Sequence, residues 1–182
     1  MNNRAALSNR DRTSALADIR GNDRVAKVEA AKKLSTDSST YSDLRRLLRH
    51  ENREDTRHAI AFALSWQDDL RSWSILVRLL SDRSESPMVR GQAAEGLAYK
   101  FHRKRKGSLG FQSAIRALVA ALSDPSPEVR YFSVFALGAS GDRRMLPVLR
   151  RMKRDRARLV GFGAVSDEAK EAIKRIQMQA SR

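Results

Sequence analysis

Five times along this chain, a residue that starts a helix-like pattern is followed eight positions later by Leu or Ile. The anchors are Ala26, Thr56, Val89, Val129 and Val165, and their partners are Leu34, Leu64, Leu97, Leu137 and Ile173. The anchors are spaced by 30, 33, 40 and 36 residues. A fixed internal offset recurring at ~20–50 residues marks a stack of supersecondary units, each unable to bury its apolar face alone. A basic residue follows the anchor in four of the five units, at Lys27, Arg57, Arg90 and Arg130.

An apolar segment precedes the anchor in most units. Leu44–Leu48, Ile75–Leu80, Ile115–Leu122 and Met145–Leu149 place apolar residues three and four apart, the helical period. Each unit therefore reads as helix, turn, helix. No stretch sustains period-two alternation, so strands are not expected. The pattern predicts helices near 5–19, 23–35, 41–50, 54–66, 70–81, 87–101, 109–122, 127–138, 143–154 and 164–178. Ser86-Pro87 and Ser126-Pro127 read as an N-cap followed by Pro at the first helical position. Gly138 and Gly141 bracket the break after the fourth unit's second helix. Gly161-Phe162-Gly163-Ala164 reads as a turn.

The Asp-x-Pro-x-Val-Arg style of unit, with Asp124 to Gly138 the best example, resembles the HEAT-like repeats of the phycobilisome-lyase type. Ser81–Leu97 and Asp55–Leu64 match well, whereas the first and last units match loosely. The resemblance implies an all-α superhelix, a solenoid of about five HEAT-like hairpins in one domain spanning 1–182. Taken by helix pairs, the repeats fall at 23–50, 54–81, 87–122, 127–154 and 164–178. Residues 1–22, carrying Arg4, Arg10, Arg12 and Arg20, form either an N-terminal capping helix or a basic arm. In such repeats the Arg after the anchor pairs with a loop Asp of a neighbouring unit. The resemblance thus implies a structural ladder of Arg57, Arg90 and Arg130 with Asp82 and Asp124 as partners. Family members include bilin lyase subunits, DNA glycosylases and adaptor proteins, so the resemblance speaks for fold and hardly for function.

The second helix of each hairpin is expected to line a concave binding face. Positions +2 and +6 from the anchor then point outward: His58 and Phe62, Gly91 and Glu95, Tyr131 and Phe135. Aromatic rings there form a sticky strip if they project, and core if the helix is rotated slightly. His58, Phe62, Glu95, Tyr131 and Phe135 are the candidate protein-binding residues.

Charge is uneven. The chain carries +15 overall; residues 1–91 contribute +4 and residues 92–182 contribute +11. Two clusters dominate: Arg103, Lys104, Arg105 and Lys106 in an insertion, and Arg143, Arg144, Arg150, Arg151 and Arg154 further on. Such clusters attract acidic proteins, and they attract phosphates with release of counterions.

With no Cys and three scattered His, neither thiol chemistry nor a metal site is expected, and no cofactor fingerprint is present. No apolar run reaches membrane-spanning length, which predicts a soluble, cytoplasmic protein without a membrane partner. Trp66, Asp68 and Asp69 could mimic the base-holding Trp and carboxylate of HEAT-like DNA glycosylases. The plainer reading packs Trp66 and Trp73 between repeats and uses the two Asp residues as caps near Leu70. The sequence reading is a non-catalytic scaffold for another protein of acidic character. The alternatives are sequence-independent nucleic-acid binding through the basic clusters, or a glycosylase- or lyase-type enzyme. Oligomeric state is left open.

Overall fold

A computed structural model describes residues 6–180; Arg4 and the expected helix start at Ala5 lie outside the described residues. The fold class is the one expected, all-α and built of stacked helical hairpins. The described residues form two compact units that divide between Ser72 and Trp73, inside the expected hairpin 54–81. Among the described residues no helix is long and apolar enough to cross a membrane.

The first unit holds α1 (Asn9–Asp18), α2 (Arg24–Ser35), α3 (Tyr41–His50) and α4 (Glu54–Trp66). Ser8 and Asp23 cap α1 and α2 by accepting from backbone N–H groups of the first turn. α1 packs on α2, α2 on α4 and α3 on α4. Ile19, Leu34, Leu44, Leu48, Ile60 and Leu64 fill the space between them. Within the segment 1–22 the helix α1 begins at Asn9, and Arg12 ties it to Asp43 through its Nε at 3.0 Å. Gln67 closes the unit by donating to the Leu34 and Asp37 carbonyls and to Thr40 Oγ1. The same two carbonyls also accept from the Thr40 hydroxyl, so Gln67 completes a buried network around the turn after α2.

The second unit holds α5 (Trp73–Ser81), α6 (Pro87–Lys100), α7 (Leu109–Ala121), α8 (Pro127–Ala139), α9 (Leu146–Met152) and α10 (Val165–Ala180). Short 3₁₀ turns lead into α9 and follow α6. α5 pairs with α6, α7 with α8 and α9 with α10, while α6, α8 and α10 pack side by side. The hairpins thus begin one helix earlier than the pairs 23–50, 54–81, 87–122 and 127–154 read from the sequence. A periodic pattern gives the repeat length but not its phase. The anchors Val89, Val129 and Val165 and their partners Leu97 and Leu137 are completely buried.

Three local expectations are corrected. Gly138 lies inside α8 instead of ending it. A Cβ there would sit 2.7 Å from Ala172 Cα, so its missing side chain is what lets α8 and α10 approach. Gly141, at φ +61, makes the break. Ser126 occupies the N-cap of α8 without a side-chain cap bond; Asp124 Oδ1 instead accepts from the Ser126 N–H at 2.9 Å. Finally, two short strands do form: β1 (Arg158–Leu159) pairs antiparallel with β2 (Gly163–Ala164). Gly161 and Gly163 supply the positive φ values that the tight connection needs. Strands of two residues are too short to show alternation by periodicity.

Candidate functional site

The ladder is the first set of sequence-chosen residues to be placed. Arg90 forks onto Asp124, Nε to Oδ2 at 3.1 Å and Nη2 to Oδ1 at 3.0 Å, with both side chains buried. Its remaining nitrogen donates to the Glu85 carbonyl. Arg130 grips Asp155 at 2.7 Å and also donates to the carbonyls of Asp124 and Pro125. Arg57 donates to the carbonyls of Leu48 and Glu51. Lys27, the basic residue after the first anchor, is buried and donates to Asp55 and to Thr56 Oγ1. Asp124 is therefore a rung, and Asp82 accepts from the Ser84 N–H and hydroxyl in its own turn. The sequence reading missed Asp55 and Asp155 because the acids sit at no constant offset from the anchors.

The outward faces of α6, α8 and α10 carry a connected strip. Glu95 on α6 is half-buried and accepts from Gln92 Nε2 at 2.9 Å and from the Tyr99 hydroxyl at 3.3 Å. Burial holds its carboxyl above the usual range despite those two bonds. Burial and then the Glu95 charge push the Tyr99 phenol up to about 12. The Tyr99 ring meets Phe135 on α8 edge-on, with centroids 6.0 Å apart. The Arg175 guanidinium on α10 lies over the Phe135 ring, 5.0 Å from its centroid, and donates to Glu168. Glu168 in turn accepts from the Tyr131 hydroxyl at 3.1 Å.

This geometry corrects one candidate. Tyr131 does not project: it is 9% exposed. The hairpin that carries β1 and β2 folds back on α8, and Phe162 packs 5.7 Å from Tyr131 and 5.3 Å from Phe132. Tyr131 thus follows the core alternative for the aromatic positions. Phe135 and Glu95 stay half-exposed and part of the strip. Tyr99 and Arg175 were missed, yet a signal existed. Both stand ten residues after their anchors, as does Trp66 in the first unit. Trp66 is 42% exposed and its ring lies 6.1 Å from half-buried Phe62. His58 on the same helix is half-buried, and burial lowers its imidazole pKa against the opposing pull of Glu54.

Of the four residues in question, Asp69 and Trp73 take the plainer form, whereas Trp66 and Asp68 are exposed. Asp69 accepts from the Arg71 N–H at 2.7 Å and so caps the turn Leu70–Ser72. Trp73 is buried, donates from its indole to the Gly110 carbonyl at 3.0 Å, and packs against Phe101. Among the described residues no group of three or more His, Asp or Glu is arranged to hold a metal ion.

The two basic clusters meet. Lys106 Nζ donates to the Gly141 carbonyl at 3.3 Å, bringing the insertion against the turn that leads to Arg143 and Arg144. Lys104 spends its charge on the Trp73 ring, 5.2 Å from the centroid, and Arg144 is held by Asp142. Arg103, Arg105, Arg143, Arg150, Arg151 and Arg154 are exposed.

An all-α fold of stacked helical hairpins, with an aromatic and charged strip on its second helices, places the chain among helical-repeat proteins. Residues 82–166 match the family model of HEAT repeats, which supports a HEAT-like repeat family for this chain. No curated protein matches it. HEAT repeats commonly serve as protein-interaction scaffolds and are generally non-catalytic.

Proposed function

We propose that this protein is a non-catalytic scaffold that grips another protein on the second-helix face of residues 73–182. The observation that carries this reading is the strip Glu95, Tyr99, Phe135 and Arg175. Its rings and guanidinium are held in place by their neighbours while remaining partly open to solvent. Tyr and Arg are the residue types that most often anchor interfaces, and side chains already ordered lose little entropy on binding. The excess of positive charge in residues 92–182 favours an acidic partner by steering its approach. The scaffold reading is preferred to the glycosylase-like alternative because Asp69, one of its two candidate carboxylates, is engaged in capping.

The test is comparative capture. Proteins retained by the immobilised wild-type chain are identified, and the leading one is purified and titrated calorimetrically. Tyr99→Ala and Phe135→Ala should each weaken that titration by ~10-fold or more, the usual size for an anchor residue. Circular dichroism should show both variants still folded. Unchanged affinity in two folded variants removes the strip from the function.

A further inference from the structure

A different part of the second unit carries an unneutralised charge. Between positions 142 and 158 there are eight Lys and Arg residues but two acids, Asp142 and Asp155. Both acids are already occupied. Asp142 holds Arg144 at 2.6 Å, and Asp155 is drawn away by the ladder residue Arg130 at 2.7 Å. Arg143, Arg150, Arg151, Lys153, Arg154, Arg156 and Arg158 are all exposed, and none forms an ion pair among the described residues. Arg156 and Arg158 come near Asp167, but that carboxylate bonds to Lys170 at 2.8 Å.

The backbone arranges these cations in a track. Arg143 and Arg150 are seven residues apart, two helical turns, and so share a side of the segment formed by the 3₁₀ turn and α9. The chain then turns at Arg154 and Asp155, whose N–H groups donate to the carbonyls of Arg151 and Met152. From there exposure alternates: Arg156, Arg158 and Val160 are exposed, while Asp155, Ala157 and Leu159 are half-buried. Alternation of this kind puts Arg156, Arg158 and Val160 on one face of the hairpin. Nothing stands within 4 Å of where a Cβ on Gly161 or Gly163 would lie, so the tip is unobstructed.

We propose that α9 and the outward face of the hairpin form a nucleic-acid binding track that takes the phosphate backbone without reading sequence. Seven of the eight cations are Arg, whose planar fork matches a phosphate bidentately where an ammonium offers a point charge. Cations at the end of α9 also complement the helix dipole, which accounts for Arg150 and Arg151 but not for the five outside the helix. A membrane surface fits less well. The exposed large apolar side chains of the hairpin are Val160 and Phe162, and Phe162 packs in part on Tyr131 and Phe132; together they offer far less area than interfacial insertion requires. The track is separate from the aromatic strip, so either can fail alone.

The experiment uses the full chain and a labelled random-sequence duplex of about 20 base pairs, read by fluorescence anisotropy from ~50 to ~200 mM salt. One variant changes Arg150, Arg151, Arg154, Arg156 and Arg158 to Gln. A charge-matched control changes Arg10, Arg20, Arg24, Arg45 and Arg49, which are exposed in the first unit. The wild type should bind, and the track variant should lose ~10-fold or more in affinity. Its log–log salt slope should be shallower by about 0.9 for each phosphate it no longer neutralises. The control should stay within about twofold of wild type, since diffuse net charge alone does not neutralise particular phosphates.

Equal losses in the two variants would overturn the proposal, as would no wild-type binding at ~150 mM salt. Displacement of the duplex by polyglutamate as readily as by unlabelled duplex of equal charge would assign the track to an acidic protein instead. Tighter binding to phosphatidylserine vesicles than to duplex, lost on Val160→Asp, would assign it to a membrane.

Discussion

Lys27 and Arg90 hold the same place in their repeats, one residue after the anchor, and both reach a carboxylate of the next repeat. They differ in what surrounds the pair. Asp55 keeps 58% of its side chain exposed, whereas Asp124 keeps 3%. The Lys27 rung joins a buried ammonium to a solvated acid, and Thr56 shares the ammonium. The Arg90 rung is a dry, two-bond fork. The lesson is that a ladder position recurring in sequence does not set an energy: the depth of the acid does. The same contrast runs through the surface charge. Residues 1–72 hold 14 Lys and Arg against 11 Asp and Glu, while residues 73–182 hold 22 against 10. In the second unit the ladder consumes Asp155 and Asp124, so the surplus is left on the surface.

The largest expected effect is at the buried rung. Arg90→Ala leaves the buried Asp124 carboxylate with only the Ser126 N–H and an exposed Arg83 at 3.9 Å, which should cost about 3 kcal/mol in urea unfolding. Replacing both partners by apolar residues (Arg90→Met with Asp124→Leu) should recover most of that loss, because no uncompensated charge then remains. Arg130→Ala comes next. Its side chain and that of Asp155 are 16% and 17% exposed, and it also serves two carbonyls. A loss of about 2 kcal/mol is expected from charge-assisted bonds that water can partly replace. Lys27→Met should cost about 1 kcal/mol or less, since Asp55 stays solvated. If Lys27→Met proves as costly as Arg90→Ala, depth is not what separates the rungs.

The smallest effect is a pH dependence at the strip. Burial raises the folded-state pKa of Glu95 above its ordinary 4.5. The folded protein then binds the proton more readily than the unfolded chain does. The cost of burying this carboxylate is absent below the unfolded value, grows as pH rises from there, and is complete above the folded one. Glu95→Gln should therefore raise the melting temperature at pH 7, with the gain disappearing by about pH 4. A gain of the same size at both pH values would show that the charge of Glu95 is not what strains the strip.

Much of the architecture was legible because its causes are local. The starts of α2 to α4 and α6 to α8 fall within a residue of expectation, since caps, Pro at the first turn and apolar spacing act within a few positions. Leu70–Ser72 and Arg143–Met145 form 3₁₀ turns where the expectation ran α-helix through, a distinction periodicity cannot make. The strip was half legible. Glu95 and Phe135 followed from the +6 position, while Tyr99 and Arg175 lay one turn beyond it. The hairpin went unseen because its two strands are held by two glycines and packing onto α8, with no pattern long enough to read.

By itself the sequence determined the helices, the repeat and its anchors, since these rest on interactions within one or two helical turns. Only the tertiary structure decided which acid quenches which cation and which ring is covered. Asp155 meets Arg130 across 25 residues, and Glu168 meets Tyr131 across 37. Loops of unequal length separate these partners. Their pairing is therefore fixed by how the helices pack in space, not by any offset along the chain.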